Sequence, residues 1–437
     1  MASIDTEDLT RVGPGTVMGE FMRQYWIPAA LSSEVETDGA PVRLMLLGEK
    51  LIAFRDSSGR VGVMDHRCPH RCASLFLGRN EENGLRCVYH GWKFDVAGNC
   101  VDMASVPAHQ DFKDKVHAKA YRVEERNGVI WVNMGKATMA PPLPGLEVLR
   151  LPETETTVFL AMRSCNWLQA LEGDIDTSHF GFLHAGHIRP EQLADDHPFR
   201  GAVFNRAPEL KVTETPWGTS YGAYRPSADG RTYWRTANFL FPFWTQQPQG
   251  DFATNVHARA WVPMDDSHMM FFNFVWNRPM PGRVTGKDGK LLTGVDLGMQ
   301  YLPNTTDWFG RWRLTSNEGN DWNLDREAQR NSFSFTGIAN IHLQDQAVTE
   351  SMGPVTDHDF EHLAPTDIMI ARTRRHILRT ARAFKETGAA PPCLNDPDTY
   401  LLARSGFFVA DPATDWQEAY AANIKEAVRP FLKQAAE

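Results

Sequence analysis

Two short stretches of this chain carry residue types that hold metals. Cys68-Pro-His70 and Cys87-Val-Tyr-His90 each offer one thiol and one imidazole within a few residues. A tetrahedral Cys₂His₂ zinc site is the simplest reading, but zinc sites usually group cysteines with cysteines and histidines with histidines. Here each arm mixes them. That arrangement suits a [2Fe–2S] cluster in which one iron takes two thiolates and the other two imidazoles. Two facing loops, each donating one Cys and one His, deliver that distribution, and Pro69, Gly84 and Gly91-Trp92 give the loops tight turns. Backbone N–H groups should hydrogen-bond the sulfurs, with Tyr89 or Trp92 shielding the site.

A second constellation lies in residues 166–187, NWLQALEGDIDTSHFGFLHAGH, which hold Glu172, Asp176, His179 and His184. If the stretch is helical, Glu172, Asp176 and His179 share a face. His184 then needs a distortion or a helix end, for which Gly181 is suited. Two imidazoles from one segment and a carboxylate from elsewhere make the facial triad of mononuclear Fe(II) sites, which keeps positions open for O₂ and substrate. The competing reading is an acidic helix start followed by two core histidines. Candidates for the distant carboxylate are Asp345, Glu350, Asp357 and Asp359. Asp345 is preferred, within Ile341–Val348 between an apolar strand-like run and a polar stretch; Asp357 and Asp359 sit among His358, Glu361 and His362 in a solvated loop. Asp176 stands where it can orient the His179 ring, or is an ordinary surface Asp; Glu172 at most shapes the site.

These residues need two scaffolds. The 437 residues exceed one ordinary domain. Residues 16–30 read as a short amphipathic helix followed by an arm. From Pro41 to Val132, short apolar runs separated by Gly/Ser/Asn turns predict a β-meander. Ala140-Pro-Pro-Leu-Pro-Gly145 is the candidate linker. Beyond it the pattern predicts a strand at Val158–Met162, mostly helix over Asn166–His184, strands over 200–280, a loop over 281–310, and helices over Asp367–Phe384 and Asp415–Lys433. The expected domains are therefore 1–155 and 156–437. Net charge is −9, which disfavours nucleic acid and anionic membrane surfaces as partners. The six cysteines make no disulfide framework, and the polar N-terminus has no apolar core of a secretion signal, so a cytoplasmic location is expected. Cys72, Cys100, Cys165 and Cys393 read as buried thiols.

Taken together, Cys68/His70/Cys87/His90, His179/His184 and Asp345 resemble the Rieske non-haem iron aromatic-ring oxygenases, terminal oxygenase α-type subunits. Arg11-Val-Gly-Pro-Gly15, the 166–184 stretch and Leu343–Met352 are similar to the phthalate dioxygenase group. The resemblance implies an α+β chain: an N-terminal all-β Rieske domain, then a helix-grip (START-like) antiparallel-sheet catalytic domain. It implies that Asp345 completes the iron site, and that Asp176 bridges His179 to a cluster histidine, His90, of a neighbouring subunit. It further implies a homotrimer or stacked trimers, with electrons from NADH through a separate flavin/[2Fe–2S] reductase. Cys72 departs from a Gly found in many relatives.

For the substrate, the expectation is a small aromatic carboxylate of phthalate or benzoate type, oxidised with O₂ by ring dihydroxylation or hydroxylation. O-demethylation of a methoxylated aromatic acid is an alternative, and a Rieske electron carrier without oxygenase activity is a rival of another class. A carboxylate calls for a bidentate guanidinium. Arg206 and Arg235 are the candidate anchors, Arg235 because it interrupts an apolar strand. Phe182, Phe239, Phe241 and Phe243 are candidate walls or plain core.

Overall fold

The computed structural model describes residues 3–186, 189–193, 206–227, 229–277, 286–290, 292, 298–331 and 334–430. The N-terminal half is built from strands. They are β1 (Trp26–Leu31), β2 (Val42–Leu46), β3 (Glu49–Arg55), β4 (Val61–Asp65), β5 (Arg79–Glu81), β6 (Gly84–Arg86), β7 (Trp92–Phe94), β8 (Cys100–Met103), β9 (Ala120–Arg126) and β10 (Val129–Asn133). They make a six-stranded sheet, β1-β10-β9-β4-β3-β2, and a small sheet, β5-β6-β7-β8. The expected arm after the first helix is therefore β1, paired along β10. Buried Phe54, Phe94, Leu75 and Leu85 form the core under the small sheet, so the loop ahead of β5 and the β6–β7 connection rest on a fixed platform.

The second half is one antiparallel sheet with helices. β11 (Thr156–Arg163), β12 (Glu209–Thr215), β13 (Gly218–Pro226), β14 (Thr232–Leu240), β15 (Trp244–Gln246), β16 (His257–Pro263), β17 (Met269–Trp276) and β18 (Gly406–Ala410) run in the order β11-β17-β16-β15-β14-β13-β12, with β18 on β14. Successive side chains in a strand point to opposite faces. Phe272 and Phe274 thus fall on one face, where Phe274 and Trp244 pack against Trp131 of β10. Phe271, opposite Trp261, falls on the other, together with Arg163, Arg235 and Arg259. That second face is roofed by the helices Trp167–Ile175, Ile341–Ser351 and Ile368–Thr387, and the cavities described below lie between.

The two halves are knitted together. Leu47 and Gly48 donate from their backbones to Pro263 and Met264, and Arg382 in the long helix pairs with Asp5 and Asp8. The Pro-rich stretch is not a free tether: Trp26 Nε1 donates to the Pro141 carbonyl at 2.7 Å. Local expectations are corrected. Residues 341–351, read as lying between a strand-like run and a polar stretch, form a helix; Cys72 is exposed and Cys393 half-buried rather than buried. The last expected helix is shorter than the sequence suggested: it runs Trp416–Glu426 and ends where Ala427 turns extended, while residues 431–433, like 281–285, 291 and 293–297 of the expected loop, fall outside the described residues.

Candidate metal centres

The two cluster loops are copies of one turn. Cys68 N–H donates to Ala73 O and Cys72 N–H to Cys68 O; Cys87 N–H donates to Trp92 O and Gly91 N–H to Cys87 O. The fifth residue of each turn is left-handed, Cys72 at φ +59° and Gly91 at φ +75°. Cys72 therefore takes a backbone role that glycine fills in the other loop, which turns its side chain outward. Cys68 and Cys87 are buried, 1% and 2% exposed. The His70 and His90 rings approach to 4.3 Å between centroids at the surface. Trp92 stacks on His70 and Tyr89 lies over His90. Burial, and then the adjacent Cys87 thiol, pushes the Cys68 thiol up to about 11, while backbone N–H groups of His70 and Arg71 favour its thiolate. Two sulfurs below, two imidazoles above and amides aimed at sulfur fit a [2Fe–2S] group with mixed ligands.

The second centre is shaped by a helix that stops. Trp167–Ile175 starts at Asn166, whose side chain caps Leu168 N–H at 3.0 Å. It ends at Asp176, already extended at φ −88°, ψ 121°. The break is thus at Asp176–Ser178 rather than Gly181, and Glu172, Asp176 and His179 do not share a helical face. Asp176 accepts from Ser178 N–H at 2.7 Å and faces His179 Nδ1 at 3.3 Å. A short helical turn, Phe180–Leu183, then carries the chain to His184. Asp345 comes across from the helix Ile341–Ser351. His179 Nε2 lies 3.7 Å and His184 Nε2 3.3 Å from Asp345 Oδ1, and the three ligand atoms lie within 4.8 Å of one another.

Hydrogen bonds fix which nitrogen each histidine presents. Gln344 donates its amide to Ile338 O at 2.8 Å, so its oxygen faces His184 Nδ1 at 2.7 Å as an acceptor. His184 Nδ1 must then carry the proton, as His179 Nδ1 does toward Asp176. Both Nε2 lone pairs are left aimed at one point with the Asp345 carboxylate. Burial opposes ionisation of Asp345, yet the neighbouring His184 and His179 hold it well below the usual carboxylate range. Burial opposes protonation of His179, but Asp176 and Asp345 raise it. One carboxylate and two neutral imidazoles on one side of an open volume fit a divalent iron with free positions.

A cavity of about 80 Å³ opens on this triad, lined by Asp176, Phe180, Tyr221 and Arg235 among others. Arg235 is 4% exposed and its guanidinium lies 4.5 Å over the Phe180 ring. Arg206, the other expected anchor, is exposed. It stacks over Phe182 and lines neither cavity that reaches the triad. Phe239, Phe241 and Phe243 are fully buried core, and Phe182 is half-exposed. Glu172 holds Arg374 through two hydrogen bonds, with Glu361 on the same guanidinium. Sequence reasoning passed over Gln344, His342, Arg259 and Arg163. For Arg163 the signal was present, since it ends the apolar run Val158–Met162 much as Arg235 interrupts its own strand.

Residues 25–122 match the Rieske [2Fe–2S] domain family and residues 132–436 the LigXa C-terminal domain-like family. The chain is 53% identical to the 3-chlorobenzoate-3,4-dioxygenase oxygenase subunit of Comamonas testosteroni, over 97% of this chain and 99% of that protein. It is 38% identical to the phthalate 4,5-dioxygenase oxygenase subunit of Pseudomonas putida, over 86% and 85%. Dicamba monooxygenase bound to dicamba has the same fold, with TM-score 0.53 and 16% identity over 84% of this chain and 99% of that one. Paired Cys/His loops on one β domain and an imidazole–carboxylate triad on the next are thus found in a chain that belongs to the Rieske non-haem iron oxygenases, as an oxygenase subunit.

Proposed function

We propose that this chain is the terminal oxygenase that hydroxylates or dihydroxylates the ring of a small aromatic carboxylate, with electrons passed from NADH in the cytoplasm by a separate flavin/[2Fe–2S] reductase. The observation that carries the reading is Arg235: a buried guanidinium lines the same cavity as the triad. The relatives named for 3-chlorobenzoate and phthalate support an anionic aromatic substrate. Cys68, His70, Cys87 and His90 would hold the Rieske cluster, and His179, His184 and Asp345 the iron. When bound, these groups supply stored electrons and O₂ activation.

The chain's own share is placement. Arg235 takes the substrate carboxylate, and Phe180, Tyr221 and Ile341 close around the ring. His342, pushed down to about 3 by burial and then Arg259, stays neutral and adds no second cation to the cavity. Asp176 fixes the His179 ring. In the proposed ring of three subunits, a neighbour's cluster comes beside Asp176.

The test supplies the iron-loaded protein with a Rieske-oxygenase reductase and NADH, and scores a panel of benzoates, phthalates and methoxybenzoates by oxygen uptake and product mass. Uptake that depends on a ring carboxylate, with one or two oxygens added to the ring, is expected. Loss of a methyl group instead would favour demethylation, and no acid-dependent uptake by any member sinks the reading. Iron analysis accompanies it, with two cluster irons plus one per chain expected.

A further inference from the structure

The triad faces a second, larger cavity. It measures about 230 Å³ and shares His179, Asp345, Asp176 and Arg259 with the first. Trp261, Phe271, Val348, Ile370 and Leu363 give it apolar walls. Three arginines line it, and two are neutralised inside the protein. Arg259 Nη1 meets Asp174 Oδ1 at 2.5 Å, and Arg374 sits between Glu172 and Glu361.

Arg163 is different. It is 3% exposed, and its guanidinium lies 5.0 Å over Trp261 and 5.7 Å over Phe271. Its Nη1 donates to Thr349 Oγ1 at 3.3 Å, while its Nε is buried with no hydrogen-bond partner. Among the described residues, no carboxylate lies within ion-pair distance of it, although the charge of Asp345 acts on it through space. Thr349 adds no negative charge, since its hydroxyl donates to the Asp345 carbonyl at 2.8 Å. Ring faces offset part of a buried cation's cost, but a desolvated guanidinium with open donors calls for an anion. A flat apolar wall beside that guanidinium calls for an arene attached to it.

We propose that Arg163 reads the carboxylate of an aromatic acid held in this larger cavity, as a second acid site beside the one that contains Arg235. The inference rests on the reading that the substrate is an aromatic carboxylate and deepens it. The acid's carboxylate pairs with Arg163, and its ring lies along Trp261, Phe271 and Val348. Both sites open on His179 and Asp345, so acid held at Arg163 is next to the iron before it reacts, and Arg163 sets preference for acids over neutral arenes.

The experiment compares Arg163→Met, Arg163→Lys and Arg235→Met with the wild-type holoenzyme. Anaerobic calorimetry with benzoate and with phthalate reads binding, and KM and kcat are measured for an acid and for its neutral amide. Two acid molecules per chain are expected for the wild type. Arg163→Met should lose one of them and raise KM for the acid about 10- to 100-fold, with the amide unchanged and iron content full. Arg163→Lys keeps the charge but loses the fork, and should retain the second site weakened. A single acid per wild-type chain, or unchanged binding in both Arg163 variants, overturns the proposal. So does a loss of melting temperature or iron in Arg163→Met with unchanged acid binding, which marks a purely structural arginine. If the wild type oxidises no aromatic acid at all, the underlying reading fails instead, and acid binding still reports on Arg163 separately.

Discussion

At the residue scale, the two histidines of the candidate iron site depend on groups that lie outside the triad. Gln344 holds His184 by one hydrogen bond, and its own amide is held by Ile338 O. Gln344→Leu removes the acceptor and frees the ring to turn, so iron affinity should fall about 10- to 100-fold. Iron retained after dialysis against a chelator checks this, and the visible absorbance of the cluster should not change. Asp176 holds His179 and, in the proposed ring, reaches the neighbour's His90. Asp176→Asn should lower turnover on the order of 100-fold with both centres filled by iron analysis; unchanged turnover sinks the electron-bridge role. The sequence displayed all the expected ligand residues, because metal chemistry restricts ligands to few residue types at short spacings. It hid Gln344, since a glutamine next to a candidate ligand has no spacing rule of its own. It offered both Arg206 and Arg235, with the apolar strand around Arg235 as the stronger signal, and burial separates them: Arg235 is buried and Arg206 exposed.

At the element scale, the centre exists because one helix ends where it does. Asn166 caps that helix and also donates to Thr10 O and Asp266 O, tying it to the N-terminal segment and to the turn before β17. Asn166→Ala removes a cap and two buried bonds. A loss of about 2–4 kcal/mol is expected, seen as a lower melting temperature, with iron lost from the triad before the cluster. Arg374→Met acts on the roof. It strands Glu172 in a buried place and leaves the partly exposed Glu361 unpaired; removing the partner of a buried charge costs about 3–5 kcal/mol, which a lower melting temperature would show. Periodicity foretold the long helix well, because Ile377, Leu378 and Ala381 form a plain apolar stripe. It missed the helix Ile341–Ser351 because Gln344 and Gln346 occupy buried positions. Polar side chains used for hydrogen bonds interrupt the apolar period that marks a helix face.

At the scale of the whole molecule, apolar groups are exposed around both centres. Val88 and Tyr89 stand on the cluster loop, and Met352, Val355, Phe360 and Leu363 follow the iron-site helix. Exposed clusters of this kind mark interfaces, and their positions suit one subunit's cluster loop docking beside another's triad. Phe360→Asp should shift the protein toward monomer in sedimentation and lower turnover without loss of iron; an unchanged assembly removes this surface from the interface.

Acid stability is the other molecule-wide consequence. His257 is fully buried on β16, accepts from Gln247 N–H at 3.2 Å, and is pushed down to about 3 by burial and then by Arg259 and Arg404. His342 is pushed down to a similar value. In the unfolded chain both protonate near pH 6.5. Their folded-state values are depressed, so the stability they contribute is complete above about pH 6.5 and is lost as pH falls toward 3. Each unbound proton sets a limiting slope of about 1.4 kcal/mol per pH unit. The carboxylates held low, such as Asp56 and Asp65, contribute only nearer pH 4, so between pH 6 and 5 the depressed histidines dominate; burial holds His66, His358 and His376 down as well, and His257 is one share among them. His257→Gln keeps an acceptor for Gln247 N–H and has nothing to titrate. Its melting temperature should fall less than the wild type's between pH 6 and 5, by roughly one histidine's share. Equal falls for both proteins would show that His257 is protonated in the folded state, and that the buried face of β16 tolerates a third cation beside Arg259 and Arg404.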